Sequence, residues 1–321
     1  MWQITAGGVV LALVVIVALA MSEVRGGAVS VEGGCGRPYT AASPWNTPIG
    51  SSPAIDAHSE EHVQALGGPL TSDPAQYTFP VYEIKRGTSP LRVHVQGVFS
   101  SVTNGGRRLR IRTRPTIRLP IPPGAQAAAG SDAQMIIVDR RTGDEWGVWR
   151  ARRGSDGWRI QNGYHYNVRW NGVPPRDARD APFGSRGAGV PYLAGLVRPC
   201  EIARGRIDHA LAFAYDYPTS RYVYPAAKSD GLSRDPADLP EGSRLQLEPR
   251  LSRRHLRLLG CTGACLTIAR ALQRYGMYVI DNSGRPKVMM EYEGTGRWRG
   301  LVNARTASPI PMHALRVIKR R

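Results

Sequence analysis

Periodicity in this 321-residue chain predicts a mainly β fold, an antiparallel β-sandwich or jelly roll with one or two short helices. Three observations carry the prediction. Apolar and polar residues alternate in period two through most of residues 77–170. Gly- and Asp-rich turns separate the alternating runs. A helical spacing of apolar residues is clear only in GACLTIARALQRY and weaker in SSPAIDAHSEEHVQALGG.

Taken in order, SPWNTPIG (Ser43–Gly50) has two prolines and reads as rigid and extended. A short helix is expected over Ala54–Leu66, ended by Gly67 and Gly68. YTFPVYEIKR, LRVHVQGVFSSV and RLRIRTR then alternate as strands. In the last, Leu109, Ile111 and Thr113 alternate with Arg110, Arg112 and Arg114, the pattern of a half-buried strand. VDRRTGDEW reads as strand, turn at Arg141–Asp144 and returning strand, and GWRIQNGYHYNVRW continues the series. Asn171–Val190 is the longest loop and is either a surface crossover or the lining of a cleft. RIDHALAFAY, RYVYPAA, SRLQLEP and MYVIDNSG supply further strands, with one helix at Gly263–Tyr275 closed by Gly276.

Ile4–Met21 is uncharged and almost wholly apolar, and Ala18–Ala20 suits a signal peptidase. No Lys or Arg precedes that run, so signal peptide and retained anchor are both open for residues 1–22. Residues 23–40 read as a linker, and 41–321 as a single extracytoplasmic β-rich domain, secreted or anchored to the cell membrane. Cys35, Cys200, Cys261 and Cys265 suit disulfides in that compartment, with three pairings possible. The C-x3-C spacing near His255 has no second ligand pair, so neither a metal nor another cofactor is expected. The formal charge of +18 favours anionic partners. No zinc finger, RNP-like aromatic strand or basic helix repeat points to a specific nucleic acid.

Four clusters carry candidate chemistry. GRIDHALAFAYD sets Asp208 and His209 side by side, on opposite faces if the segment is a strand. His209 is then a general acid or base, a core histidine or, least favoured, a metal ligand. YGMYVIDNSG brings Asp281 and Asn282 off the end of an apolar strand, which is also an ordinary turn. VYPAAKSDG holds Lys228 and Asp230 beside Tyr224. Asp139 and Glu145 flank a hairpin tip, and His165 stands between Tyr164 and Tyr166. Trp45 either plugs the domain or stacks on a sugar. No P-loop, dinucleotide fingerprint, G-x-S-x-G or H-E-x-x-H is present.

SPWNTPI, GVPYLAGLVRPCEIARGRIDHALAFA, YPAAKSDG, LPEGSRLQL and IARALQRYGMYVIDNSG resemble an uncharacterised family of exported bacterial proteins, frequent in actinobacteria. The resemblance spans roughly Trp45–Gly284. Its most recognisable positions correspond to His209, Tyr275, Gly276, Asp281, Asn282 and Gly284. The family pattern has Asp-Asn-Gly where this chain inserts Ser283. The resemblance implies export and names no reaction.

These readings converge on an extracellular carbohydrate-active enzyme, a polysaccharide hydrolase with Asp208 and Asp281 as paired carboxylates and His209 assisting. Trp45, His165, Lys228 and Asn282 are the expected substrate contacts. The alternatives are a non-catalytic wall or polysaccharide-binding protein and a structural envelope protein. The expected partner is an anionic or neutral polysaccharide, and the membrane through an uncleaved N-terminal segment.

Overall fold

The computed structural model describes Met1 and residues 35–319, apart from Pro182 and Ser185. The apolar segment Ile4–Met21, and with it the signal-peptide, anchor and localisation readings, lies outside the described residues. Among the described residues no helix is long and apolar enough to cross a membrane. Cys35–Arg321 cluster as one compact unit.

The N-terminal half of that unit builds two sheets from ten strands: β1 (Val81–Glu83), β2 (Leu91–Val95), β3 (Val98–Thr103), β4 (Arg108–Thr113), β5 (Thr116–Leu119), β6 (Met135–Asp139), β7 (Asp144–Trp149), β8 (Arg152–Gly154), β9 (Gly157–Ile160) and β10 (Asn162–Asn167). One is six-stranded in the order β1-β6-β7-β10-β3-β4, the other four-stranded in the order β5-β2-β9-β8. Met135, Ile137, Val148 and Phe99 of the first share a core with Val93, Ile117, Leu119 and Trp158 of the second. The C-terminal half adds β11 (Leu211–Tyr215), β12 (Thr219–Tyr222), β13 (Pro240–Glu241), β14 (Arg244–Leu247), β15 (Met277–Asn282), β16 (Lys287–Val288) and β17 (Leu315–Val317). These form a five-stranded sheet, β16-β11-β15-β14-β17, and the pair β12-β13.

This arrangement overturns the expected sandwich or jelly roll. The described residues form four separate sheets, and none of these closes into a barrel or sandwich. The physical reason is parallel pairing. β1–β6, β3–β10, β2–β9, β11–β15 and β12–β13 are all parallel. A parallel neighbour must arrive by a crossover, whereas alternation within a strand looks the same in either direction. Antiparallel pairing persists in the local hairpins β3–β4, β6–β7 and β8–β9 and in some distant pairs, such as β2–β5 and β14–β17.

Among the described residues four helices replace the one or two expected: α1 (Ser59–Ala65), α2 (Pro199–Ala203), α3 (Arg253–Leu258) and α4 (Ala264–Arg274). α1 starts later than Ala54 because Ile55 bridges Ile318 and Asp56 N donates to Val317 O, drawing residues 54–56 into strand pairing. α2 opens with Pro199, and Glu201 caps it by accepting from Arg198 N at 3.0 Å. α3 is capped by Ser252 Oγ, which accepts from His255 N at 3.1 Å. α4 lays Cys265, Ile268, Ala269 and Leu272 on the core of the five-stranded sheet, beside Leu245, Leu247, Phe213 and Val279. Disulfides join Cys35 to Cys200 and Cys261 to Cys265. β4 is not half-buried as its alternation suggests. It is the edge of the six-stranded sheet, and Ile111 is exposed along with the arginines.

Candidate active site

β15 crosses the core as buried Met277, Tyr278, Val279 and Ile280 and delivers Asp281 and Asn282 to its open end. Two distant segments are fastened to it. Ala188 N donates to Ile280 O at 2.9 Å, and Gly242 N donates to Val279 O at 2.7 Å. The first bond carries the 171–190 crossover inward, and the second carries Glu241. Ala227 N in turn donates to Ala188 O at 2.9 Å, which brings in Lys228 and Asp230. The crossover is therefore not a surface loop: Val173, Phe183, Arg186, Ala188 and Val190 are buried.

Carboxylate oxygens of Asp230, Glu241 and Asp281 gather within 4.8 Å of one another. Gly187 makes this possible, since a Cβ there would stand 2.3 Å from Glu241 Oε1 and 2.4 Å from Asp230 Oδ1. Gly242 has φ +90° and a backbone so close to Val223 O that a Cβ would fall 1.7 Å away. Three carboxylates this close do not all ionise. Burial first, and then the charge of Asp230, push Glu241 well above the carboxylate range. The same two causes raise Asp281, against the opposing pull of Arg186 and Lys228. Among the described residues no donor reaches the oxygens of Glu241, and a neutral carboxyl is the form that its burial and the charge of Asp230 favour. One hard cation would also match the three oxygens. Arg186 and Lys228 already bring positive charge to the cluster, which opposes a divalent cation more strongly than a single proton. Lys228 Nζ is anchored to Arg186 O at 2.7 Å, and the buried Arg186 guanidinium lies 4.6 Å over the Phe79 ring.

Asp281 opens on a cleft of about 410 Å³, whose polar lining includes Asn282, Asp73, Asp132, Gln134 and Lys287. Lys287 donates to Gln76 O and Tyr77 O. Burial lowers it to about 8, although Asp73 and Asp132 pull it upward. Asp132 is held by Trp149 Nε1 at 3.2 Å and Gln134 Nε2 at 3.3 Å. Asp73 closes a local turn by accepting from Ala75 N at 2.8 Å.

The structure does not bring Asp208 to Asp281. β11 and β15 are parallel, with Ala214 beside Asp281, and Asp208 precedes the start of β11. The two acids therefore sit at opposite ends of the pair. Asp208 faces Arg206 at 2.8 Å and Arg204 at 3.5 Å instead. His209 is buried, with Nε2 3.0 Å from Glu201 Oε1 and Nδ1 2.9 Å from Ala210 O. Two acceptors on two ring nitrogens fit an imidazolium, and the Glu201 charge and hydrogen bond raise its pKa against the opposing effect of burial. Neither residue can meet a substrate bound at Asp281. Trp45 is 1 % exposed, donates Nε1 to Gly172 O at 2.9 Å and packs edge-on against Tyr278, so it is a core plug. His165 stacks on Trp146 and pairs with Asp144 at 2.8 Å, in a different groove. Asp139 is tied to Arg141 at 2.8 Å, and buried Glu145 accepts from Tyr39 and Tyr164. Of the candidates, Asp281, Asn282 and Lys228 meet. Glu241, Asp132 and Lys287 carry no sequence signal.

The chain was compared with family models, curated proteins and solved structures, and none of them matches it.

Proposed function

We propose that this chain is a polysaccharide hydrolase acting outside the membrane, with Asp281 as its proton donor. The supporting observation is a carboxyl at the mouth of a polar cleft whose pKa is raised by burial and by the charge of Asp230. Glycoside hydrolysis needs an acid that keeps its proton at working pH and a second carboxylate across the sugar. Asp132, fixed by Trp149 and Gln134, supplies the second from the cleft lining. The cleft volume, about 410 Å³, falls in the range of ligand pockets, about 300–1,000 Å³. Asn282, Gln134 and Lys287 offer donors to hydroxyl and carboxylate oxygens. The Asp281 proton passes to the glycosidic oxygen as the C1–O bond breaks. Water attacks C1 and yields its proton to Asp132, so the step releases two chain ends.

The test is the appearance of new reducing ends from a panel of wall and plant polysaccharides. Asp281→Asn and Asp132→Asn should each lower turnover by about 10²–10⁴-fold in proteins that still unfold cooperatively. Asp208→Asn should leave turnover unchanged. A folded wild type that cleaves no member of the panel, or an Asp281→Asn variant with full turnover, overturns the proposal. Unsaturated ends absorbing in the ultraviolet would do so too, since they mark elimination rather than hydrolysis.

A further inference from the structure

A second groove, of about 530 Å³, lies where the six-stranded and four-stranded sheets meet. Its lining includes Arg92, Arg112, Arg118, Trp146 and His165. Strand register explains the composition. β3 pairs Phe99 with Arg112, Ser101 with Arg110 and Thr103 with Arg108. The row continues through His165 opposite Ser101 and Trp146 opposite His165. Directly opposed residues share a face of a sheet. Arg108, Arg110 and Arg112 therefore project on the face that carries the Trp146–His165 stack, whose centroids are 5.4 Å apart.

The four-stranded sheet repeats the pattern. Arg92 stands opposite Arg118, and Arg152 opposite Arg159. Like charges directly across a ladder destabilise it. Asp156 pairs Arg159, and Asp144 pairs His165. Among the described residues Arg92, Arg108, Arg110, Arg112 and Arg118 have no carboxylate partner. The folded chain thus holds two converging sheet faces of unneutralised arginine around one half-buried aromatic pair.

We propose that this groove binds one strand of an anionic polysaccharide, its carboxylate or phosphate groups on Arg92, Arg112 and Arg118 and a sugar face on Trp146. Guanidinium forks match both anions, and an aromatic face suits the apolar face of a sugar ring. A nucleic acid fits less well. Single strands use successive aromatic platforms and duplexes a helix or ribbon inserted in a groove, whereas this groove has one ring pair between two sheets. That the anion is carried on a glycan rests on the hydrolase proposal, and the groove extends that proposal to acidic chains.

The experiment measures binding to full-length protein in mild detergent, using the cleavage-deficient Asp281→Asn variant as background so that binding is read without turnover. The probes are polygalacturonate for the uronate source, poly(glycerol phosphate) for the phosphate source, dextran as the neutral chain and oligothymidylate. Binding of either anionic chain that weakens with salt, with none to dextran, is expected. R92A/R112A should weaken it at least tenfold, and R92K/R112K should retain more of it. R253A/R254A on α3 removes the same charge elsewhere and should change little. Equal weakening by both alanine doubles would show only the net charge at work and overturn the groove, as would no loss in R92A/R112A or preferred binding of oligothymidylate. Binding at the groove without cleavage by wild type would leave the groove standing and remove the hydrolase. Cleavage without such binding would do the reverse.

Discussion

Replacing Glu201 by Gln should destabilise the domain by about 3–5 kcal/mol, the cost of breaking a buried ion pair from one side. Glu201 is 4 % exposed and His209 is 3 % exposed. The carboxylate serves two donors at once: Oε1 takes His209 Nε2 at 3.0 Å and Oε2 takes Arg198 N at 3.0 Å. An amide has one acceptor oxygen, so a Gln that keeps the helix cap turns its NH2 towards His209 Nε2, which only a neutral imidazole can accept. It also removes the charge that, with its hydrogen bond, raises the His209 pKa. The pH dependence has a definite sign. A folded-state pKa raised above the unfolded value gives stability that is complete below about 6.5 and lost as pH rises through the folded pKa. The gap between wild type and variant should therefore be widest near pH 6 and narrow towards pH 9. Asp208→Asn is the control next door. Its partner Arg206 is largely exposed, so that change should cost about 1 kcal/mol or less. The assay is urea unfolding of oxidised protein at several pH values, with m-values compared. A Glu201→Gln loss no larger than that of Asp208→Asn, or a gap independent of pH, would refute the assignment of a buried imidazolium.

Three further outcomes rest on the same geometry. Folded pKa values raised at Asp281 and Glu241 mean that their stabilising contribution is present in acid and lost as pH rises through those values. Asp281→Asn should accordingly gain stability relative to wild type between pH 4 and pH 8 in a thermal scan, and a parallel pair of curves would contradict the raised Asp281 pKa. Trp45→Ala should cost about 3–5 kcal/mol by calorimetry or denaturant titration, because it empties a core site and unpairs Gly172 O. Loop length ranks the disulfides. Removing Cys35–Cys200, 165 residues apart, should cost about 5 kcal/mol, and Cys261–Cys265, four apart, about 2 kcal/mol, so equal losses in the two Cys→Ala pairs would count against a chain-entropy origin.

Local order is legible in the sequence where one segment contains its own reason. The β6–β7 hairpin has its turn residues between two alternating runs. α4 has an apolar stripe and Gly276 behind it, and the structure ends it at Arg274. α2 and α3 leave no periodic trace although Pro199 and Ser252 are start signals, because each helix is about one and a half turns and too short to show a period. Sheet membership is not legible at all. Val81–Glu83 pairs with Ile136–Val138 and Gly163–His165 with Phe99–Ser101, each in parallel and across more than 50 residues. Nothing in the alternation of either partner marks that choice.

The candidate site divides along the same line. Asp281 announces itself as an acid at the end of an apolar strand, whereas Asp208, its apparent equal, is spent on two arginines at the other end of the same parallel pair. The decisive difference is who arrives from far away. Glu241 belongs to PEGS, which reads as a plain turn, and it becomes buried only because Gly242 binds Val279 O. Gly187 lies in a loop with no pattern of its own, yet its missing side chain is the space in which Glu241 and Asp230 meet. A carboxyl changes its proton affinity through such neighbours and through burial, and both are properties of the assembled chain. The sequence therefore marks where an acid emerges from the core, but whether that acid is neutralised by arginine or held protonated by another acid depends on contacts between the crossover, β13 and β15.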